Sequence, residues 1–198
     1  MTSCKKLQRK KIICIGTSTG GPRALQAVLT QLPKNLDASI VIVQHMPPKF
    51  TKSLADRLNT ICDIDVKEAE DGEQLKEGTA YIAPGGRHMT IIQTGGRAKV
   101  KIVDSPTVNG HRPSVDVLFN SINKLTNFDK IVVIMTGMGT DGAAGLVELK
   151  KDSNVYSIAE SEETCIVYGM PNAAIATKQV DVIAKLGDIA DTILNYIR

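Results

Sequence analysis

Three polar side chains with complementary chemistry follow apolar segments along the chain: Ser18, His45 and Asp141. A serine hydroxyl becomes an effective nucleophile when an imidazole takes its proton, and a carboxylate can fix the tautomer of that imidazole and support its positive charge. Together these residue types can catalyse acyl transfer. Each alone has a commoner use, since Ser18 and Asp141 could cap helices and His45 could bond to the backbone at a strand end.

The turn that contains Ser18 permits three interpretations. It spans residues 16–21, between the apolar run at 12–15 and an amphipathic helical pattern at 24–32. The segment GTSTG fits G-x-S-x-G, the turn that exposes a nucleophilic serine. The same glycines could hold a phosphate at a helix N-terminus, or could serve only the sterics of a tight turn. The turn by itself does not choose among these interpretations.

The elements that position the three side chains are apolar strand patterns alternating with helical ones. This alternation predicts an α/β fold: an open, mostly parallel, doubly wound sheet with helices on both faces and one antiparallel hairpin, in a three-layer, Rossmann-like arrangement. We predict strands at 12–15, 38–43, 64–67, 79–82, 131–135 and 155–159, a hairpin of 90–93 and 99–103, an irregular loop at 104–113, and helices at 24–32, 50–58, 115–125, 143–150, from 171 and at 189–197.

The predicted sheet brings Ser18, His45 and Asp141 to one edge. All carboxyl ends of parallel strands lie at the same edge, which is where sites form in such folds. Finding all three residue types there favours an acyl-transfer triad over three separate structural roles. His88 and His111, both placed in loops by the pattern, are the alternative bases.

Two related fold assignments are disfavoured. The chain order Ser, His, Asp differs from the Ser, Asp, His order of α/β-hydrolases. The first turn also lacks G-x-G-x-x-G, and the second strand ends in Gln44 rather than in an acidic residue that could bind a ribose.

Composition restricts the function classes further. The chain has 198 residues, 42% of them hydrophobic, which is enough for one domain with a substantial core. A net charge of +3 and only 4% aromatic residues give little support for nucleic-acid binding. The four cysteines are far apart, which disfavours a metal finger or a disulfide scaffold. Because neither a membrane-spanning segment nor a signal peptide is visible, the expected compartment is the cytoplasm, with no membrane insertion.

Six segments, in order along nearly the whole chain, resemble the catalytic domain of chemotaxis receptor methylesterases of the CheB type: GTSTGGP, QHMPP, YIAPGGRHM, NGHRPSVDVLF, MTGMGTDGAAG and YGMPNAA. The resemblance implies hydrolysis of glutamate γ-methyl esters on the cytoplasmic helices of methyl-accepting chemotaxis receptors, often with deamidation of receptor glutamines. It also implies that Ser18, His45 and Asp141 are nucleophile, base and orienting acid. We expect no cofactor and no metal, because the chain shows no cluster of ligands.

The resemblance assigns an oxyanion contact to the backbone N–H of Met138, and the N–H of Thr19 is the second candidate. Residues 1–9 are expected to be an N-terminal tail or linker remnant and residues 10–198 the catalytic domain. Members of the family usually carry a receiver domain over the active site, which makes such a domain an expected partner, whether this chain is an excised domain or a natural stand-alone form. A ligand-sensing module without turnover and a small-molecule esterase are the alternative functions.

Overall fold

The fold was taken from a computed structural model that describes residues 9–152 and 154–197. Residues 1–8 of the predicted tail lie outside the described residues. The elements are β1 (Lys10–Thr17), α1 (Gly21–Leu29), β2 (Ser39–Gln44), α2 (Phe50–Asn59), β3 (Asp65–Glu68), β4 (Thr79–Ile82), β5 (His88–Thr94), β6 (Arg97–Val103), α3 (Val115–Ile122), β7 (Phe128–Ile134), α4 (Ala143–Leu149), β8 (Val155–Glu160), α5 (Met170–Ala176), β9 (Val182–Ala184) and α6 (Ile189–Ile197), with a 3₁₀ turn at Leu186–Asp188.

Seven strands form one sheet in the order β3-β4-β2-β1-β7-β8-β9, and every neighbouring pair is parallel. Strands β5 and β6 pair antiparallel in a separate hairpin. The predicted parallel α/β sheet with one hairpin is therefore confirmed.

Both faces of the sheet are covered, because successive residues of a strand point to opposite sides. In β1, Ile13 and Ile15 pack with α1, α2 and α6 on one face. Ile12 and Cys14 pack on the other face with α3, α4, α5 and the hairpin. This explains why β1 is an unbroken apolar run rather than an alternating one.

The order of the strands reverses direction next to β1. From β1 the chain moves to β2 on one side, whereas β7, on the other side of β1, leads on to β8 and β9. The turns that follow β1 and β7 therefore lie side by side at the carboxyl edge, where the N–H of Ser18 donates to the carbonyl of Thr136 at 3.0 Å. This point of reversal is where the fold places the turns carrying Ser18 and Asp141.

Several details of the predicted elements were wrong. The edge strand β9 was not predicted, because three residues give too short a pattern to detect. The hairpin strands are longer than predicted, and His88 opens β5 rather than lying in a loop. Helix α3 ends at Ile122 rather than at residue 125. Among the described helices none combines the length and the apolar character needed to cross a membrane.

Candidate active site

Ser18 occupies the first position after β1, in the turn that leads into α1. The residue at the N-cap of α1 is Gly20, and the cap makes no side-chain hydrogen bond, so Ser18 does not cap the helix. A Cβ added to Gly21 would lie 1.8 Å from Oε1 of Gln44, so this position has no room for a side chain. The glycines therefore allow the turn to pack against the end of β2.

Gln44, the last residue of β2, ties the Ser18 turn to His45. Its Oε1 accepts a hydrogen bond from Thr17 Oγ1 at 2.6 Å. Its Nε2 donates to the carbonyl oxygen of Ser18 at 2.9 Å and to that of His45 at 3.0 Å. The buried amide thus fixes the backbones of the predicted nucleophile and base relative to each other.

His45 and Asp141 form the direct contact predicted for the base and the acid. Nε2 of His45 lies 2.8 Å from Oδ2 of Asp141. Nδ1 of His45 is buried and has no hydrogen-bond partner among the residues that the structure describes. Because the carboxylate holds Nε2, Nδ1 is the ring nitrogen left to accept a proton.

Ser18 opens onto the same cleft as His45. The cleft has a volume of about 390 Å³ and is open to solvent. Arg112 contributes a positive charge to its wall, and its Nη1 donates to Asp104 Oδ1 and to the carbonyl of Ser105, both at 2.8 Å. The residues that line the cleft are Ser18, His45, Met46, Pro47, Gly110, His111, Arg112 and Pro113.

Asp141 is 1% exposed, and both of its carboxylate oxygens are filled by donors. Burial by itself raises the pKa of Asp141, but its hydrogen bonds, first that from His45, outweigh burial and leave the pKa at about 2. The carboxylate is therefore held ionised. Oδ2 accepts from His45 Nε2 (2.8 Å) and Val115 N (2.6 Å), and Oδ1 accepts from Asn109 Nδ2 (2.9 Å), Ser114 Oγ (2.8 Å) and Asp116 N (3.2 Å).

The structure corrects the alternative role considered for Asp141, which was to cap the helix directly after it. The N-cap of α4 is Gly142, and the cap makes no side-chain hydrogen bond. Asp141 instead accepts backbone N–H groups at the start of α3. The start of α4 is served by Asp116 of α3, whose Oδ1 accepts from the N–H groups of Gly142 at 3.0 Å and Gly145 at 2.6 Å. Each helix start is therefore served by a carboxylate from the other part of the pair: Asp141, before α4, serves α3, and Asp116, in α3, serves α4. We call this arrangement the exchange of carboxylates.

Thr19 and Met138, the predicted oxyanion contacts, lie on the two turns that follow β1 and β7. A Cβ on Gly137 would lie 2.8 Å from Cβ of Ser18, which shows how closely the turns approach. Within the described ranges, the backbone N–H groups of Thr19 and Met138 take part in no hydrogen bond. The Met138 side chain is 70% exposed. Both N–H groups are thus available to a ligand.

His88 and His111, the two alternative bases, make different contacts from those of His45. His88 is fully buried: its Nε2 donates to the carbonyl of Pro106 at 2.9 Å, and its Nδ1 accepts from the N–H of Ser114 at 3.2 Å. Because both ring nitrogens are used, His88 supports the start of α3. The ring of His111 stacks on that of His45, with centroids 3.8 Å apart and an angle of 9° between the planes. Burial and then the nearby His45 lower the pKa of His111.

Several residues of this network were not predicted from the sequence. Asn109 lies in the loop at 104–113, which was predicted only as irregular, and Ser114 follows that loop as the N-cap of α3. His111 was considered as an alternative base, but its stack on His45 was not predicted. The dipeptide Asn109-Gly110 was the available signal, because Asn-Gly favours a tight two-residue turn. No group of three or more described His, Cys, Asp or Glu side chains is arranged to hold a metal ion.

The comparisons with known proteins agree with this fold. A protein-family model described as CheB methylesterase matches residues 13–193. The chain is 52% identical to the protein-glutamate methylesterase/protein-glutamine glutaminase of Bacillus subtilis (strain 168), over 96% of this chain and 53% of the relative. The protein of the same name from Geobacillus kaustophilus is 56% identical, over 96% of this chain and 54% of that relative.

A solved structure shows the same fold. The crystal structure of the Thermotoga maritima CheB methylesterase catalytic domain matches with a TM-score of 0.89 and 42% sequence identity, over 94% of this chain and 98% of that one. The chain belongs to the CheB methylesterase family. It spans about half the length of the curated relatives that it matches.

Proposed function

We propose that this chain is a serine hydrolase that removes methyl groups from glutamate γ-methyl esters of chemoreceptors and deamidates receptor glutamines. The observation that carries the proposal is the 2.8 Å contact between His45 Nε2 and Asp141 Oδ2 beside a cleft that also contains Ser18. The names of the relatives support the choice of substrate. Because this substrate lies on cytoplasmic helices, the proposal requires a cytoplasmic location, and a receiver domain is a further proposed partner.

In the first step, Nδ1 of His45 accepts the hydroxyl proton of Ser18 while the oxygen attacks the ester carbonyl. The imidazolium that forms is stabilised by Asp141, which holds Nε2–H. This use of the two ring nitrogens is the reverse of the serine-protease arrangement, in which the carboxylate holds Nδ1. The backbone N–H groups of Thr19 and Met138 are the proposed donors to the oxyanion.

In the second step, the tetrahedral intermediate expels methanol, which takes the proton from His45, and an acyl-Ser18 ester remains. Water then adds to this ester with His45 as base, and the products are a glutamate side chain and free Ser18. A glutamine side chain would follow the same course with ammonia as the leaving group. Each step uses only side chains, backbone N–H groups and water.

The proposal is tested by measuring methanol released from methylated receptor membranes, with Ser18→Ala as the matched control. Mass spectrometry of the receptor peptides then shows whether particular glutamates lose the methyl group. We expect release by the wild type and none above background by the variant. Release of methanol only from small esters would favour the small-molecule esterase, and binding without any release would favour the sensing module.

A further inference from the structure

The loop before α3 contains a tight turn that supports the site from outside the triad. The backbone groups of Val108 and His111 exchange two hydrogen bonds, N–H of Val108 to O of His111 at 3.0 Å and the reverse at 2.9 Å. Both intervening residues have positive φ, 54° at Asn109 and 77° at Gly110. This is the two-residue turn that Asn-Gly favours, and it brings the side chain of Asn109 to the carboxylate of Asp141.

The amide of Asn109 lies between two buried carboxylates. Its Nδ2 is 2.9 Å from Oδ1 of Asp141 and 2.7 Å from Oδ2 of Asp116. An amide nitrogen carries two hydrogens, and here each of them has a carboxylate oxygen as acceptor. Asp141 and Asp116 are 1% and 6% exposed, so water contributes little to keeping the two charges apart.

Each of these carboxylates has a further task that depends on its orientation. Asp141 must direct Oδ2 at His45, and Asp116 directs its other oxygen at the start of α4. Two carboxylates in close, buried proximity repel each other unless donors satisfy them. The amide of Asn109 is the one side chain among the described residues that donates to both.

We propose that Asn109 is a positioning residue, which holds the Asp141 carboxylate in the orientation that fixes Nε2 of His45 and separates it from the carboxylate of Asp116. The inference rests on the proposed function of the site. Asn109 does not line the cleft that contains Ser18 and His45, so its effect passes through Asp141.

Three variants separate this role from a merely conformational one. Asn109→Gly keeps the backbone freedom that positive φ needs but removes the amide. Asn109→Asp keeps the size and the tolerance of positive φ, but replaces the donor by an oxygen that repels both carboxylates. Asn127 also has positive φ, 59°, and is exposed, so Asn127→Gly is the matched control away from the site.

We expect Asn109→Gly to lower kcat for methanol release by about 10- to 100-fold, with KM changed by less than about twofold, because the reacting groups are misplaced rather than removed. Asn109→Asp should lose more activity than Asn109→Gly, and Asn127→Gly should behave as wild type. If Asn109 only supports the turn, Asn109→Gly, which keeps the positive φ, should be close to wild type. A kcat within about twofold of wild type for a folded Asn109→Gly, or near-wild-type activity of Asn109→Asp, would overturn the proposal.

A spectroscopic measurement keeps the test independent of turnover. The hydrogen-bonded proton on Nε2 of His45 is followed by NMR in Ser18→Ala, with and without Asn109→Gly. We expect the resonance to move or broaden when the amide is lost, and an unchanged resonance would contradict the proposal. If the wild type releases no methanol, the proposed function fails, whereas the NMR comparison still tests the role of Asn109. Circular dichroism confirms that each variant is folded.

Discussion

The two halves of the site differ in how completely they are built. In the acid half, Asp141 is buried and five hydrogen bonds fill its oxygens. In the nucleophile half, Ser18 borders an open cleft, Nδ1 of His45 has no partner within the described part of the chain, and the side chain of Met138 is largely exposed. His45 connects the halves, with one nitrogen in each.

The difference separates the two demands that the proposed ester hydrolysis places on the site. The groups that orient His45 must keep one geometry, so they are buried and satisfied by protein donors. The groups that meet the substrate must exchange partners during the reaction, so they are left without protein partners. Substitutions in the acid half should therefore cost both stability and activity, whereas substitutions in the nucleophile half should cost activity alone.

The largest expected effect is that of Ser18→Ala on activity. Removing the nucleophile should lower kcat for methanol release by a factor of about 10⁴ to 10⁶. Because the hydroxyl of Ser18 does not cap α1, the free energy of unfolding should remain within about 0.5 kcal/mol of wild type. Urea unfolding checks the second point. A folded variant with wild-type activity would exclude a covalent mechanism through Ser18.

Asp141→Asn should affect both activity and stability. The loss in kcat is expected to be about 10²- to 10⁴-fold, since an amide supports the imidazolium poorly and favours the wrong tautomer; the upper figure is the loss caused by the analogous change in a serine protease. The sequence alone predicts an unchanged melting temperature, because an amide can also cap a helix. The structure changes this expectation, because both oxygens of Asp141 accept hydrogen bonds. The NH₂ group of the asparagine that replaces it would therefore face donors, and we expect a destabilisation of about 1–3 kcal/mol.

Kinetic and urea-unfolding measurements on the same preparation of Asp141→Asn check both effects. Ser18→Ala is the control for a change that affects activity alone. A loss of activity of less than about threefold would show that Asp141 serves α3 and not the chemistry.

The acid half should also make stability depend on pH. The pKa of Asp141 is about 2 in the folded chain, against an ordinary value of 3.8. Because the folded-state pKa is the lower one, the stabilisation is fully present above pH 3.8 and is lost as the pH falls from 3.8 through 2. The difference corresponds to about 2 kcal/mol. Urea unfolding between about pH 2 and pH 6 should show the gap between wild type and Asp141→Asn narrowing by this amount, and a constant gap would contradict the assignment.

The smallest expected effect is that of His111→Gln, because His111 contributes a stack on His45 and part of the cleft wall rather than a proton-transfer contact. Activity should fall by less than about tenfold. The pKa of His111 is below its ordinary value of 6.5, so the folded chain resists its protonation and the wild type loses stability as the pH drops below 6.5. His111→Gln should lose less over the same range. Inactivity of this variant, together with an active His45→Gln, would assign the base to His111.

The sequence was sufficient to predict the sheet and the meeting of the three main side chains, because both follow from local patterns. Long apolar runs define β1, β2 and β7, and parallel strands place the residues after them at one edge. Ser18, His45 and Asp141 could therefore be brought together without knowledge of any tertiary contact.

The donors to Asp141 could not be predicted in this way. The loop before α3 has no periodic pattern, and the position of Asn109 depends on how α3 and α4 pack. The exchange of carboxylates between those helices is likewise a property of the packed pair. Sequence proximity suggested instead that Asp141 serves α4, the nearest helix, and this was wrong because Asp116 fills that role.

The exchange of carboxylates between α3 and α4 also constrains how the chain can fold. The N–H groups of Val115 and Asp116 at the start of α3 lack their acceptor until β7 and the turn after it have docked, and the start of α4 lacks its own until α3 is in place. Each helix start receives a carboxylate that only the packed pair supplies, so we expect the two helices to assemble cooperatively. Because the donors that orient Asp141 lie at the start of α3, we expect the folding transition and the gain of the proposed activity to coincide.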